Sequence, residues 1–268
     1  MTTNRVSLAL LGLIVAGAAL GLRHNVSGVL RKSSSVLKKC GVLARPRSVF
    51  AQGVTVLWSA DMESSGNPGE NLQQWYFPDC CDRSELNPPQ SSSNGGGIYN
   101  SGTASAGPSF DYAHSGSYSA ILKINTSVES GTRLFRWQEP RLNNSNSDLY
   151  YSVWYYFPTT YTPTVYWNIL QWKSNSPTWG NNPMFNVEVN NRGSGMYLYL
   201  CPPSFINGGT CYGQTGNTYY IPVGTWTHLE AHYVGSGLST GHVTIWEDGH
   251  QLFDIANVQT RYADGDLG

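Results

Sequence analysis

The sequence predicts an all-β protein, folded as a sandwich or jelly roll of antiparallel sheets. Beyond residue 53, short runs that alternate apolar and polar residues recur between clusters of Gly, Pro, Asn and Ser, and no helical periodicity persists. Charged residues make up 12% of the 268 residues, about half the usual ~25%, which excludes coiled coils and charge-driven disorder. Aromatic residues, at 13%, are too abundant for a solvated linker.

Nine segments have the alternation of strands: residues 54–59, 117–125, 132–138, 149–157, 167–174, 184–190, 196–201, 226–234 and 242–247. Asp248-Gly249 is typical of a two-residue type I′ turn, and residues 191–195 predict a looser hairpin, so strands joined by these turns pair antiparallel. Residues 87–108 are rich in Pro, Ser, Asn and Gly and predict a long surface loop, a candidate lid over a cleft.

The charge is divided unevenly along the chain. Residues 1–52 contain eight Lys and Arg and no acidic residue, so the remaining 216 residues carry eight basic against 17 acidic residues, a net charge of −9. An acidic body with no basic stripe repels nucleic acid, which excludes nucleic acid as a partner. It also repels an acidic polysaccharide, unless a few basic residues are concentrated in one cleft.

The N-terminal region predicts export. Residues 6–22 form an apolar run preceded by Arg5, typical of a secretory signal peptide or of a short membrane anchor. Residues 49–51 have the spacing of a cleavage site but lie well beyond that run, so an uncleaved anchor or a start codon assigned too far upstream are alternatives. In each case we expect a secreted or extracellular protein. If the segment is an anchor, contact with the membrane is limited to residues 6–22.

In an oxidising compartment, the cysteines beyond the leader are expected to form disulfides. Cys201 and Cys211 bracket one short loop and are the predicted pair, whereas Cys80 and Cys81 either pair with each other or stay reduced. A zinc site is the alternative, but no second CxxC or nearby His pair supplies its ligands. No metal or other cofactor is therefore expected to be required, and a structural Ca²⁺ is left open.

Alternation along two neighbouring strands predicts a polar sheet face. In residues 167–174, Leu170 and Trp172 share one face, while Ile169, Gln171 and Lys173 share the other. In residues 184–190 the corresponding polar side chains are Asn186 and Glu188. Amides and charges bind sugar hydroxyls and aromatic rings cover sugar faces, so a sugar site is predicted here. Its rim would consist of Tyr197, Tyr199 and Trp179. The alternative is an ordinary solvated sheet face.

Five stretches in order carry a resemblance to a known family. They are AHSGSYSA at 113–120, RWQE at 136–139, NILQWK at 168–173, GTWTHL at 224–229 and VTIWEDG at 243–249. Across residues 54–256 the chain resembles the jelly-roll polysaccharide lyases, the alginate, glucuronan and heparin lyases built on a concanavalin-A-like sandwich. The Trp-x-His and Trp-x-Asp-Gly stretches are the most distinctive of the five. Laminin-G-like and other carbohydrate-binding sandwiches share them, so they indicate the fold more than the chemistry.

The resemblance implies β-elimination on a uronic-acid polymer, in which a donor neutralises the carboxylate, a base removes the C5 proton and an acid protonates O4. Gln171 matches the neutralising Gln of the family's Gln-x-His stretch, and Lys173 stands where His is common. Lys173 is therefore expected to be protonated and to clamp the carboxylate, because it could be a base only if burial or nearby cations pulled its pKa well down, which Glu188 would oppose. Arg136 is the nearest match to the family's Arg.

These lyases continue, after the Asp-Gly hairpin, into a strand that carries a catalytic Tyr, whereas this sequence stops at Gly268. The expectation is a C-terminally truncated chain. Alternatively Tyr197, Tyr199 or Tyr233 replaces that residue, or the protein does not catalyse. We thus predict an export signal or anchor with a basic linker over residues 1–52 and a jelly-roll carbohydrate-active domain over residues 53–268.

Other candidate sites are weaker. His228, Glu230 and His232 alternate on one strand and predict a solvated outer face, because residues two apart lie ~7 Å apart, too far to share one ion. His114 lies in a turn, where bonding to the backbone is commoner than catalysis. Glycoside hydrolysis needs two close carboxylates, and Glu188 and Glu230 lie on different predicted strands.

The predicted function is a secreted, monomeric polysaccharide lyase that acts on an acidic polysaccharide. The alternative is a non-catalytic carbohydrate-binding module of the laminin-G or lectin type that uses the same face.

Overall fold

A computed structural model describes residues 4–9, 14–16, 55–63, 96–124, 131–136, 148–163 and 167–267. The strands, in chain order, are β1 (Asn4–Ala9), β2 (Ile14–Ala16), β3 (Thr55–Trp58), β4 (Gly96–Ser101), β5 (Ser105–Ser109), β6 (Ser119–Ile124), β7 (Gly131–Arg136), β8 (Asp148–Tyr156), β9 (Trp167–Ser176), β10 (Gly180–Asn191), β11 (Met196–Cys201), β12 (Trp226–Val234), β13 (Gly241–Glu247), β14 (His250–Val258) and β15 (Asp266–Leu267). The described residues contain one 3₁₀ turn, at Asn207–Gly209, and no α-helix.

Antiparallel pairing organises these strands into three sheets. The large sheet has the order β14-β13-β12-β8-β1-β6-β5, with β2 pairing β3 and β8, and the four-stranded sheet has the order β11-β10-β9-β15. Strands β4 and β7 form a separate pair. The predicted all-β class, with antiparallel sheets that form a sandwich, is therefore confirmed.

The core lies between the large sheet and the four-stranded sheet. Trp172 of β9 stacks on Tyr233 of β12 with ring centroids 4.7 Å apart, and Phe185 of β10 meets the same Tyr233 ring edge-on at 6.2 Å. Each of these three side chains is at most 2% exposed. Strand β12 alternates strictly, with Leu229, Ala231 and Tyr233 buried, because one of its faces packs on the core.

Turn chemistry was predicted correctly at the β13–β14 hairpin. Asp248 and Gly249 have φ values of 50° and 79°, as a type I′ turn requires at both central positions. The hairpin at residues 191–195 joins β10 to β11, also as predicted. Strand β14, which completes this hairpin, is not among the nine segments predicted as strands.

The prediction of a long loop at residues 87–108 is wrong for the second half of that stretch. Strands β4 and β5 occupy it, β4 pairing with β7 and β5 with β6. A Gly- and Ser-rich segment can extend and pair when its neighbours supply the ladder, and Pro108 is tolerated because β5 is an edge strand. The part of that stretch before Gly96 lies outside the described residues.

A β-bulge changes the predicted faces of β9. Val187 pairs with Leu170 and Glu188 pairs with Asn168, so Ile169 is the extra residue. Ile169 and Leu170 both pack against the core, whereas alternation had placed Ile169 beside Gln171 on the polar face. From Gln171 onward, after the extra residue, the side chains of β9 alternate between the two faces as predicted.

The predicted export segment falls mostly outside the described residues. Within or beside it, residues 4–9 and 14–16 form strands β1 and β2 of the large sheet. No helix among the described residues is long and apolar enough to cross a membrane. Cys80 and Cys81 also lie outside the described residues.

Candidate functional site

The four-stranded sheet carries a row of polar side chains on the face turned away from the core. Gln171 of β9 lies directly opposite Asn186 of β10, and Glu188 of β10 lies directly opposite Tyr199 of β11. Together with Lys173, the next outward residue of β9, these side chains are called the polar face below. The structure thus brings together five of the residues that the sequence singled out.

Hydrogen bonds join the polar face across three strands. Gln171 Nε2 donates to Asn186 Oδ1 at 2.7 Å, and Asn186 Nδ2 donates to Glu188 Oε1 at 3.5 Å. The Tyr199 hydroxyl donates to the Glu188 carboxylate from the other side. A fixed network of this kind holds the Gln171 amide in one orientation before any ligand binds.

Burial sets the protonation states at the Tyr199 end. It raises the pKa of Tyr199 to about 12, with a further contribution from the Glu188 carboxylate. Burial also raises the pKa of Glu188, while the hydrogen bonds from Tyr199 and Asn186 act in the opposite direction. Tyr199 is therefore protonated at neutral pH and acts as a hydrogen-bond donor, not as a base.

Lys173 has the opposite perturbation. Its side chain is half-buried, and burial, followed by the nearby Arg133 guanidinium, lowers its pKa from the usual value of lysine. The expected opposition from Glu188 does not reverse this direction. The pKa of Lys173 is thus displaced in the direction that a base needs, whereas the clamp role expected from the sequence needs the ammonium. Arg133, the cation that contributes to this displacement, was not among the residues singled out from the sequence.

The β4–β7 pair brings Arg133 to this face. Arg133 lies on β7 opposite Tyr99 of β4, and its guanidinium carbon sits 4.6 Å from the centre of the Tyr99 ring. Such a cation–π contact fixes the direction of a long, flexible side chain. The position of Arg133, three residues before the predicted Arg136, gave no signal for it, because strand residues three apart point to opposite faces. Arg136 ends β7, and its side chain lies outside the described residues.

Basic side chains are concentrated at this face of an acidic body. Beyond residue 53, the Lys and Arg side chains that the structure describes are Lys123, Arg133, Lys173, Arg192 and Arg261. Arg133 acts electrostatically on Lys173, and Arg192 acts on Tyr199. Lys173 itself belongs to the polar face, and Arg133 and Arg192 each act on one of its members, so three of these five side chains are associated with it. An anionic polymer would need such focusing.

The remaining tyrosines occupy different positions. Tyr197 lies on β11 with its ring 6.5 Å from that of Tyr199 and 6.4 Å from that of Tyr220, so it forms part of the sheet's aromatic edge. Tyr233 is fully buried, and its hydroxyl donates to the Thr260 carbonyl at 2.6 Å. The suggestion that Tyr233 replaces the catalytic tyrosine is therefore wrong, because it points into the core.

Trp179 lies in the turn between β9 and β10, at the end of the sheet and away from the Gln171–Asn186 pair. Its side chain is 65% exposed, and its ring stacks on Tyr262 at 6.3 Å. Its predicted place at the rim is compatible with this position. Near the same end, Cys201 and Cys211 form the predicted disulfide.

The outer face of the large sheet carries a separate cluster. His228 stacks on Trp154 at 4.3 Å, and its Nε2 lies 2.7 Å from Ser152 Oγ, while its Nδ1 lies 3.7 Å from a Glu230 oxygen. These residues resemble a hydrolytic triad by type only. Along Leu229–Val234, β12 is paired with β8 on one side and with β13 on the other, so the backbone N–H groups of these described residues are committed to ladders and not to an oxyanion hole.

The other histidines on that face also have partners. His232 contacts Asp148 at 2.6 Å and stacks on Tyr150 at 4.2 Å, while His114 stacks on Trp154 at 4.0 Å. Burial, followed by the neighbouring His228, lowers the pKa of His114. No group of three or more His, Cys, Asp or Glu among the described residues is arranged to hold a metal ion.

A family model described as polysaccharide lyase matches residues 112–267. Among solved structures, the crystal structure of an endo-β-1,4-glucuronan lyase from the fungus Trichoderma reesei is similar to 63% of this chain and 74% of that chain, at 13% identity and a TM-score of 0.42. A comparison with curated proteins found no match.

Proposed function

The chain belongs to the polysaccharide lyase family, and from that premise we propose that it cleaves a uronic-acid-containing polysaccharide by β-elimination on the polar face. One observation carries the proposal. In a body of strongly acidic composition, Lys173, Arg133 and Arg192 flank a fixed row of amides, and this combination suits a polymer with one carboxylate per sugar.

Gln171 and Arg133 are proposed to bind the uronate carboxylate. An amide nitrogen has two N–H donors, and Gln171 uses one of them on Asn186, so the other can donate to the substrate. The carboxylate gains negative charge as the C5 proton leaves, because the carbanion is delocalised into it. Donors that are already oriented toward the carboxylate therefore stabilise the transition state more than they stabilise the bound substrate.

Lys173 is proposed as the base. A neutral amine takes the C5 proton, the C5–H electron pair forms the C4=C5 double bond, and the C4–O4 bond breaks. O4 departs with the neighbouring sugar and becomes part of its new reducing end. Burial and Arg133 both favour the neutral amine, because each disfavours the ammonium.

The proton on O4 is proposed to come from the Lys173 ammonium formed in the first step. Lys173 and Tyr199 lie on β9 and β11, two strand spacings or about 10 Å apart across the sheet. That separation places Tyr199 against a neighbouring part of the polymer, where its hydroxyl oxygen can accept from a sugar hydroxyl while its O–H stays on Glu188. One group thus serves as base and then as acid.

We also propose that the protein acts outside the cell. The Cys201–Cys211 disulfide supports this proposal, because disulfides form and persist in oxidising compartments. The predicted signal peptide or anchor over residues 6–22 is consistent with such export.

The test is cleavage of glucuronan, alginate and heparin in ¹⁸O-labelled water, with mass spectrometry of the products. Elimination adds no water, so we expect unlabelled products in which one partner carries an unsaturated uronate. Products that contain ¹⁸O at the new reducing end would indicate hydrolysis and overturn the proposal. Binding without any product would identify a carbohydrate-binding module instead.

A further inference from the structure

Three aromatic rings form a continuous strip at one end of the four-stranded sheet. Trp179 stacks on Tyr262 with centroids 6.3 Å apart and 22° between planes, and Phe205 lies 5.6 Å from Tyr262 with 30° between planes. Trp179 comes from the β9–β10 turn, Tyr262 from the segment before β15, and Phe205 from the loop that the disulfide closes. These three residues are called the aromatic strip.

The two outer members of the aromatic strip are unusually exposed. Trp179 is 65% and Phe205 50% exposed, although neither contributes to the core. Large exposed apolar groups that lie side by side are uncommon on a protein surface unless they bind something. An aromatic ring is also the side chain best suited to the apolar face of a pyranose.

The turn that presents Trp179 is held firmly. Ser176 Oγ accepts from the backbone N–H groups of Thr178 and Trp179 at 3.1 and 2.9 Å. Asp264 in turn accepts from the hydroxyls of Ser176 and Thr178 at 2.7 and 2.6 Å. An exposed ring on a rigid turn loses little conformational freedom when it binds, which is the design of a binding subsite.

The other two rings are anchored as well. The backbone N–H of Tyr262 donates to Ser174 Oγ at 3.0 Å, which ties it to β9. Phe205 precedes Ile206, which is buried in the core, and both lie inside the loop closed by Cys201 and Cys211. The strip is therefore assembled from three segments that each have their own attachment.

The rings on the large sheet do not offer the same surface. Trp154 is stacked on by His114 at 4.0 Å and by His228 at 4.3 Å, and Tyr150 is stacked on by His232 at 4.2 Å. A ring face that already contacts another ring is not open to a sugar. The aromatic strip is thus the better candidate for binding a sugar ring.

We propose that the aromatic strip is an accessory subsite that binds sugar rings of the polysaccharide a few units away from the bond that is cleaved. Trp179 lies three residues beyond the end of β9, and the five residue steps from Gln171 to Ser176 span ~17 Å of strand. Ser174, to which Tyr262 is tied, faces the core, so the strip lies around the end of the sheet from the polar face. A polymer that continues around that end can contact both, whereas a disaccharide or trisaccharide is too short. The identity of the polymer rests on the proposed function.

The test compares W179A and F205A with F110A, a matched control whose ring is 73% exposed elsewhere on the surface. On the polymer we expect W179A to raise KM about tenfold, as the loss of ~1.4 kcal/mol implies, with kcat unchanged. On a disaccharide or trisaccharide substrate its KM should equal that of the unmodified protein. F110A should be normal on both, and W179Y should restore polymer KM. Unchanged polymer KM in W179A and F205A would overturn the proposal.

Affinity electrophoresis separates this proposal from the proposed function. Gels that contain glucuronan, alginate, heparin or the neutral polymer hydroxyethylcellulose report binding without any reaction. Retardation that is lost in W179A but kept in F110A supports the subsite even if no polymer is cleaved. Equal retardation of W179A and the unmodified protein, or no retardation in any gel, would overturn the subsite while leaving elimination to be judged from its products.

Discussion

Gln171 and Asn186 face each other across β9 and β10, and the Gln171 amide donates a 2.7 Å hydrogen bond to the Asn186 side-chain oxygen. This contact orients an amide in the middle of a sheet face where an isolated glutamine would sample several rotamers. The second N–H of the same amide is not used in this bond, and in the proposed function it donates to the substrate carboxylate.

Replacing Gln171 with Ala should lower kcat by about 10²- to 10³-fold, the cost of removing one donor to a developing negative charge. The fold should persist, because the side chain lies outside the core. Steady-state kinetics with a far-ultraviolet spectrum measure both. Q251A, which removes an exposed glutamine of β14 on the large sheet, is the matched control and should be fully active. Full activity in Q171A would remove Gln171 from the mechanism.

The pH profile of kcat should depend on Arg133. Only neutral Lys173 accepts a proton, so kcat should rise as the pH rises through the pKa of Lys173. Arg133 lowers that pKa, so R133Q should shift the rising limb to more alkaline pH, while R133K, which keeps the charge, should leave it near its original position. Identical profiles for R133Q and the unmodified protein would show that Arg133 does not tune Lys173.

Tyr199 should contribute to binding more than to proton transfer. Y199F removes the hydroxyl that donates to Glu188, and we expect a change of a few-fold in KM with kcat nearly unchanged, in keeping with ~1 kcal/mol for a hydrogen bond. The measurement is kcat and KM at one pH. A loss of kcat near a thousandfold would instead make Tyr199 the group that transfers a proton.

Glu247 should make the protein less stable at alkaline pH. It is buried, Thr227 donates to one of its oxygens at 3.2 Å, and burial raises its pKa to about 8. A carboxyl group with a raised pKa in the folded state supports stability fully below its ordinary pKa and loses that support as the pH rises toward 8. Thermal unfolding between pH 5 and 9 should show a falling Tm.

The variant E247Q isolates this effect. An uncharged amide cannot ionise, so the fall in Tm with pH should become much shallower, whatever the absolute Tm of the variant. E230Q changes a half-exposed carboxylate on the neighbouring strand and should alter the slope far less. Equal slopes for E247Q and the unmodified protein would exclude Glu247 as the source.

The sequence predicted the strands that alternate regularly and the turns with distinctive chemistry. The bounds of β11 and β12 agree with the prediction, because each has one buried face and a regular partner. The bulge at Ile169 escaped detection, since one extra residue shifts the alternation without a marker in the sequence. Strands β4 and β5 were missed because their pairing depends on distant partners and not on their own composition.

The candidate site was predictable to the extent that it follows a single strand. Gln171, Asn186 and Glu188 could be assigned to one face from alternation alone. Arg133 could not, because the β4–β7 pair brings it to Lys173 through tertiary packing. The aromatic strip draws its rings from three distant segments, so only Trp179 was recognised.

The central claim is that Lys173 and its neighbours on the polar face remove a proton from a uronate. The most direct measurement is the ultraviolet absorbance of unsaturated uronate produced from glucuronan, alginate or heparin by the unmodified protein and by K173A. We predict a steady increase with the unmodified protein on at least one polymer and no detectable increase with K173A. Equal rates for the two proteins, or no absorbing product from any uronic-acid polymer, would contradict the account.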